Sequence, residues 1–215
     1  MAEHVTTEQG RSKSAVAMPA PLGEIHHWLH DELTWLHIKW SNFCRLYAKD
    51  RERLDLLNAA APTFFSELRQ TLLEDVLLHL CRITDPPKSK GHDTLTFRRI
   101  PVAIPDRALR AVIQPLVEDT KQRTKFARDW RNRRLAHREL PATHGQAAQR
   151  LPQATRQDVE DALAALRKIM NQIERHYLNK SVLYEHSIEA LGGVESLVKR
   201  LASGLAAEKN KATHH

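Results

Sequence analysis

The sequence predicts an all-α protein, an antiparallel four-helix bundle with a small C-terminal helical appendage. Three observations carry that class. Glycine is scarce, seven in 215 residues, while the good helix formers Ala, Leu, Arg and Glu are plentiful. β-branched residues, which favour strands, are few. Long stretches carry apolar residues stepping by three and four, the period of a helix with one buried face.

Residues 1–22 are polar and hold Pro19 and Pro21, which predicts a disordered leader. The bundle is expected over 23–180, with an amphipathic helix and a polar tail over 181–215. From Glu24 to about Asn58, the positions Leu29, Leu33, Leu36, Trp40, Phe43 and Tyr47 predict one long helix. Trp28 and Trp35 widen its apolar stripe, as for a helix with more than one packing neighbour. Pro62 suits the first turn of a second helix, whose buried stripe runs Phe65, Leu68, Leu72, Val76, Leu80 and Ile83. The run Asp85-Pro86-Pro87-Lys88-Ser89-Lys90-Gly91 ends it. A connection of about twenty residues follows to Pro105, long enough to be functional.

Asp106 is the expected cap of a third helical region with Leu109, Val112, Ile113 and Leu116 inward. Pro115 inside it is expected to kink or divide it. After a loop over 141–152, Thr155 and Asp158 have capping-box spacing. They open a helix with Val159, Leu163, Leu166, Met170, Ile173 and Tyr177 inward. Past Gly192-Gly193, the residues Val194, Leu197, Val198, Leu201 and Leu205 mark the final amphipathic helix.

Composition narrows the function. No apolar run approaches the ~20 residues that cross a bilayer. The N-terminus, with Glu3, Glu8, Arg11 and Lys13, lacks the apolar core of a secretion signal. Cys44 and Cys81 fall on apolar helical faces and read as reduced core thiols, which fits a cytoplasmic setting. No glycine-rich phosphate loop and no Cys/His catalytic pairing is present, and no cofactor is called for. His26, His27 and His30 include an i, i+4 pair, a spacing that can bind metal, but no third ligand stands out. A partly exposed helix face is the expectation there, with no metal site.

The net charge of +7 is concentrated. Between Arg107 and Arg138 there are ten Lys/Arg against three Asp/Glu, and the remaining residues hold 23 of each sign. A local positive field of this kind attracts polyanions, nucleic acid foremost. At its centre lies Phe126-Ala127-Arg128-Asp129-Trp130-Arg131-Asn132-Arg133-Arg134-Leu135-Ala136-His137-Arg138-Glu139. Arginine grips phosphate in bidentate fashion and keeps its proton, while histidine moves protons near neutral pH. Together they suffice to cleave a phosphodiester without metal. The alternative is a solvated basic helix.

With Arg131-Asn132 and, after five residues that intervene from that arginine, His137, the chain resembles the HEPN superfamily of small four-helix nucleotide-binding bundles. The branch it most resembles is the AbiU-type set of abortive-infection proteins. The stretches Arg82-Ile83-Thr84-Asp85-Pro86-Pro87, Leu95-Thr96-Phe97-Arg98-Arg99-Ile100 and Leu135-Ala136-His137-Arg138 carry that likeness, over roughly residues 24–180. The resemblance implies a metal-independent endoribonuclease acting as a homodimer. In it His137 would serve as general acid or base, Arg131 would hold the scissile phosphate, and Asn132 would bind the phosphate or orient the histidine. Lys125, Arg128, Trp130, Arg133, Arg134 and Arg138 are the expected RNA contacts, Trp130 with an apolar anchoring role as the simpler alternative. Arg98 and Arg99 extend the path only if they are more than loop charges. Some HEPN toxins carry a modifiable tyrosine two residues after the histidine; Glu139 stands there in this chain. RNA and an antitoxin or defence-system partner are the expected partners, with no membrane. The other readings are a non-cutting RNA- or nucleotide-binding module and a helical protein-interaction adaptor.

Overall fold

The computed structural model describes residues 16–89, 91–136, 154–186 and 192–213. The fold is all-α. The helices are α1 (Leu22–Tyr47), α2 (Arg51–Ala60), α3 (Pro62–Thr84), α4 (Ile100–Ala103), α5 (Arg107–Arg123), α6 (Lys125–Ala136), α7 (Arg156–Leu178) and α8 (Val194–Thr213). The chain divides into two compact units, Met1–Trp35 with Leu77–Tyr184, and Leu36–Val76 with Glu185–His215.

In the first unit α5 packs along α7. Leu29 and Leu33 of α1, Leu77 and Leu80 of α3, Ile113 of α5 and Leu166 of α7 are fully buried in its core. The inner face of α5 runs Leu109, Ile113, Val117 and Thr120, while Val112, expected inward, is about half exposed. Asp106 caps α5 by accepting from the Leu109 amide at 2.9 Å. The capping box of α7 is formed in full: Thr155 Oγ1 accepts from the Asp158 amide, and Asp158 returns the bond to the Thr155 amide at 2.9 Å. Asn179, in the left-handed region at φ 48°, closes the far end, as asparagine commonly does.

Three expectations are corrected here. The first predicted helix is two helices. Asp50 intervenes in extended conformation and caps α2 through the Arg53 amide at 2.7 Å, so a polar cap outcompetes continuation of the helix. Pro115 does not divide the third region, since α5 runs unbroken through it. The break comes at Thr124, whose buried hydroxyl turns back to the Thr120 carbonyl at 2.7 Å. Finally, Trp28 and Trp35 do not extend the buried stripe of α1; they stand 46% and 60% exposed, Trp28 with its ring against His27.

The long connection is more structured than its sequence indicates. Lys88–Ser89 and His92–Asp93 form a minimal antiparallel ladder, and Phe97–Arg99 make a 3₁₀ turn that leads into α4. Phe97, Ile100 and Ile104 are fully buried and anchor it. Arg99 ties it internally, donating to the carbonyls of Thr94 and Pro87 and to Asp93 at 2.6–2.7 Å. Arg99 is thus a structural staple of the loop.

In the second unit Trp40 stacks on Phe43 and Phe43 meets Tyr47 at a tilt along α1, and the Tyr47 hydroxyl donates to the Phe65 carbonyl at 3.0 Å. Leu68 and Leu72 of α3 are only half-buried. α8 packs on α2, and Arg53, 7% exposed, reaches Glu195 at 2.8 Å. Val194, Val198, Leu201 and Leu205 of α8 are half-buried.

Candidate functional site: a charged cleft on the motif helix

The site is set by how α6 is fastened to the end of α3. Arg128 Nη1 donates to the hydroxyls of Thr84, at 3.1 Å, and Thr124, at 2.9 Å, and its Nη2 donates to the Lys121 carbonyl. One turn further on, Arg131 Nη1 donates to Asp85 Oδ2 at 2.5 Å. Two arginines at i and i+3 on one face of α6 therefore grip two consecutive residues, Thr84 and Asp85, where Pro86-Pro87 prevents α3 from continuing.

Arg131 and Asp85 are each about a quarter exposed, and both line an open cleft of about 450 Å³. Glu32, Leu78, Arg82, Ile83, Pro86, Thr94 and Leu95 complete the wall. Glu32 Oε2 accepts from His79 Nε2 at 2.6 Å and from the Arg82 guanidinium. His79 is buried while Arg82 is exposed, so the cleft shows solvent an arginine backed by a buried imidazole. Behind it Cys81 is 1% exposed and burial pushes its thiol up to about 11, which leaves it unreactive at neutral pH.

The other predicted site residues divide. Asn132 is exposed on α6 and Trp130 half-buried. Lys125 is exposed and pairs with Asp129 at 2.6 Å, one helical turn along. Arg128 is held in the clasp described above, its exposed edge on the same helix face as Arg131. Arg133 and Arg134 continue the α6 backbone, but their side chains, together with all of His137 and Arg138, lie outside the described residues. Sequence reasoning missed Glu32, His79, Arg82 and Asp85. A signal existed for two of them: Arg82 and Asp85 sit three apart at a helix end fixed by two prolines.

A second polar cluster is buried in the same unit. Glu174 is fully buried; its Oε1 accepts from the Tyr184 hydroxyl at 3.1 Å and lies 3.2 Å from His26 Nε2 and 3.4 Å from His30 Nδ1. His30 Nδ1 also meets the Tyr184 hydroxyl at 2.8 Å. Burial alone would raise the Glu174 pKa, but the His26 and His30 rings beside it outweigh this and hold the carboxyl down at about 2. Burial pushes His26 below the ordinary histidine value and, with the adjoining carboxylate, pushes the Tyr184 phenol up. The expected exposed histidine face is thereby overturned: His26 and His27 are 2% and 5% exposed, because α1 turns that face toward α7 and the Tyr184 segment. Among the described residues no group of three His, Cys, Asp or Glu is arranged to hold a metal ion. Nor is any described helix long and apolar enough to cross a membrane.

Against this geometry, the sequence model of the HEPN AbiU2 family, described as AbiU2, matches residues 20–191. The chain belongs to this family. It is an abortive-infection-type HEPN module, and the match takes in α1 to α7, including both arms of the Arg131–Asp85 contact, and leaves α8 outside. No curated protein and no solved structure matches the chain.

Proposed function

We propose that this HEPN module is an endoribonuclease of an abortive-infection or toxin–antitoxin system that needs no metal. The observation that carries the reading is Arg131: in a HEPN chain, the arginine of the motif lies in the wall of an open, charged cleft, anchored at one nitrogen by Asp85. A guanidinium so held presents its other N–H groups without a search through rotamers, which suits it to a phosphate.

In this reaction a ribose 2′-hydroxyl attacks the adjacent phosphorus and the bond from phosphorus to the 5′-oxygen breaks. The products are a 2′,3′-cyclic phosphate and a 5′-hydroxyl, and DNA, lacking the nucleophile, is not cut. His137 takes the proton from the 2′-hydroxyl or delivers one to the leaving oxygen, a contribution typically of ~10²–10⁴ in rate. Arg131 offsets the charge that gathers on the phosphate oxygens. Asn132, exposed one residue on, hydrogen-bonds the phosphate or the imidazole. A step of six residues turns an α-helix by about 600°, so Arg131 and His137 would stand about 120° apart on one straight helix. α6 is helical through Ala136, and a homodimer resolves the mismatch by letting the partner's His137 face Arg131 across a shared cleft.

The test is cleavage of RNA by purified protein in excess EDTA, beside Arg131→Ala and His137→Ala. The expected result is cyclic-phosphate ends with wild type and loss of cleavage in both variants. RNA binding without cleavage by wild type would make the protein a binding module. Full activity of a monomer at nanomolar concentration would remove the shared cleft.

A further inference from the structure

On either side of Glu32, which lines the cleft, α1 exposes two large aromatics. Trp28 and Trp35 are 46% and 60% exposed, and Glu32 lies between them on the same helix. At 100° per residue, positions 28, 32 and 35 fall within about 60° of arc, and the two tryptophans stand about 10 Å apart along the axis. Glu32 is the residue through which this stripe meets the cleft, since it takes the bonds from His79 and Arg82 on α3. Leu78, one turn before Arg82, is 47% exposed and lines the same wall. An aromatic surface thus lies on either side of Glu32, a wall residue of a groove whose cations are the exposed Arg82, paired with Glu32, and the quarter-exposed Arg131, paired with Asp85.

We propose that Trp28 and Trp35 form a base-stacking platform that holds an unpaired stretch of RNA against the cleft. The proposal rests on the ribonuclease reading above and adds the form of the substrate. A side chain this large and apolar costs free energy when left in water, and its flat face is matched by a nucleobase. Unpaired bases can turn outward onto such faces, whereas a duplex keeps its bases stacked inside and offers only its backbone. Charge also favours this occupant over a second copy of the chain: the basic excess of the sequence lies between Arg107 and Arg138, and α6, within that stretch, forms part of the cleft wall through Arg131. Bases on α1 and phosphates on Arg82 and Arg131 divide one strand between its two chemical faces.

The experiment measures binding of an unstructured RNA oligonucleotide and of a perfect RNA duplex in a His137→Ala background, where the strand is not consumed. Trp28→Ala and Trp35→Ala are each expected to weaken binding of the unpaired oligonucleotide about tenfold, with Phe at either position restoring most of it. Duplex binding and the salt dependence should stay unchanged, because no phosphate contact is removed. Tryptophan fluorescence quenched by the oligonucleotide should lose its largest component in Trp35→Phe. Unchanged oligonucleotide affinity in both Ala variants overturns the platform while leaving the nuclease reading intact. A double variant that sediments at half the mass of the parent, with RNA affinity per protomer unchanged, overturns it in favour of a contact between copies. No RNA binding by the parent removes both readings together.

Discussion

Two ionisable clusters hang from the same helix and differ in one physical variable. His26 and His30 of α1 meet Tyr184 around the fully buried carboxylate of Glu174, while Glu32 of α1 meets His79 and Arg82 at the rim of an open cleft that also holds Asp85 and Arg131. His30 and Glu32 are two residues apart, so they point about 200° apart around the helix. Each cluster places carboxylates beside imidazole or guanidinium groups. Burial decides what the pairing does. Away from water a carboxylate without partners is very costly, so the Glu174 group serves the fold. At the cleft, water competes for every contact, the pairs contribute little to stability, and the cations stay available to a ligand.

The largest effect expected from this contrast is on folding. Glu174→Ala leaves the buried His26 ring, the half-buried His30 ring and the buried Tyr184 phenol without the carboxylate they share, and should cost about 3–5 kcal/mol in urea unfolding. A loss below about 1 kcal/mol would show that the cluster is not a fastening of the fold. The same carboxylate gives the pH dependence. Its folded pKa of about 2 lies below its unfolded value, so its contribution is complete above about 4.5 and is lost as pH falls toward 2. His26 adds in the same direction: its folded pKa is depressed, so the unfolded chain takes up its proton first as pH falls below about 6.5. Melting temperature should therefore decline from near neutrality into acid, and Glu174→Gln should flatten the part below about 4.5.

The next effect is on activity alone. Arg131→Ala should lower RNA cleavage by about 10²–10³, as loss of a charge-stabilising donor does. Its unfolding free energy should move by no more than about 1 kcal/mol, because the Arg131–Asp85 pair is partly solvated. Global unfolding of this variant would erase the distinction between the two clusters. The smallest effect sharpens it: Tyr184→Phe removes one hydroxyl from the buried site and should cost about 1 kcal/mol, with cleavage at saturating RNA unchanged.

Much of the fold was legible because its devices are local. The Thr155–Asp158 capping box, the Asp106 cap and the apolar stripes of α1 and α7 depend on residues three and four apart, and all are formed. The errors came where two local rules compete. Asp50 reads equally as a polar residue on a helix surface and as a cap, and only the chain's turn after Tyr47 settles it. Pro115 breaks an isolated helix, yet burial of Ile113 and Val117 on either side keeps α5 continuous. The candidate site was half legible. Arg131 was marked by its motif, but Asp85 was read as part of a helix stop and of the family likeness, and Glu32 only as a neighbour of the α1 histidines; neither was read as a site residue, since each gains its meaning from a partner about fifty residues away.

By itself the sequence determined that this chain is helical, where most helices begin, that its basic excess centres on α6, and which family it belongs to. Each of these follows from composition or from short-range pattern. Only the tertiary structure decided which polar residues are buried and which face water. It buried His26 against Glu174 with His30 beside it, left Trp28 and Trp35 about half exposed, and set Arg131 beside Asp85 at a cleft. The reason is that helical periodicity fixes which residues share a face, whereas what covers that face depends on chain segments distant in sequence.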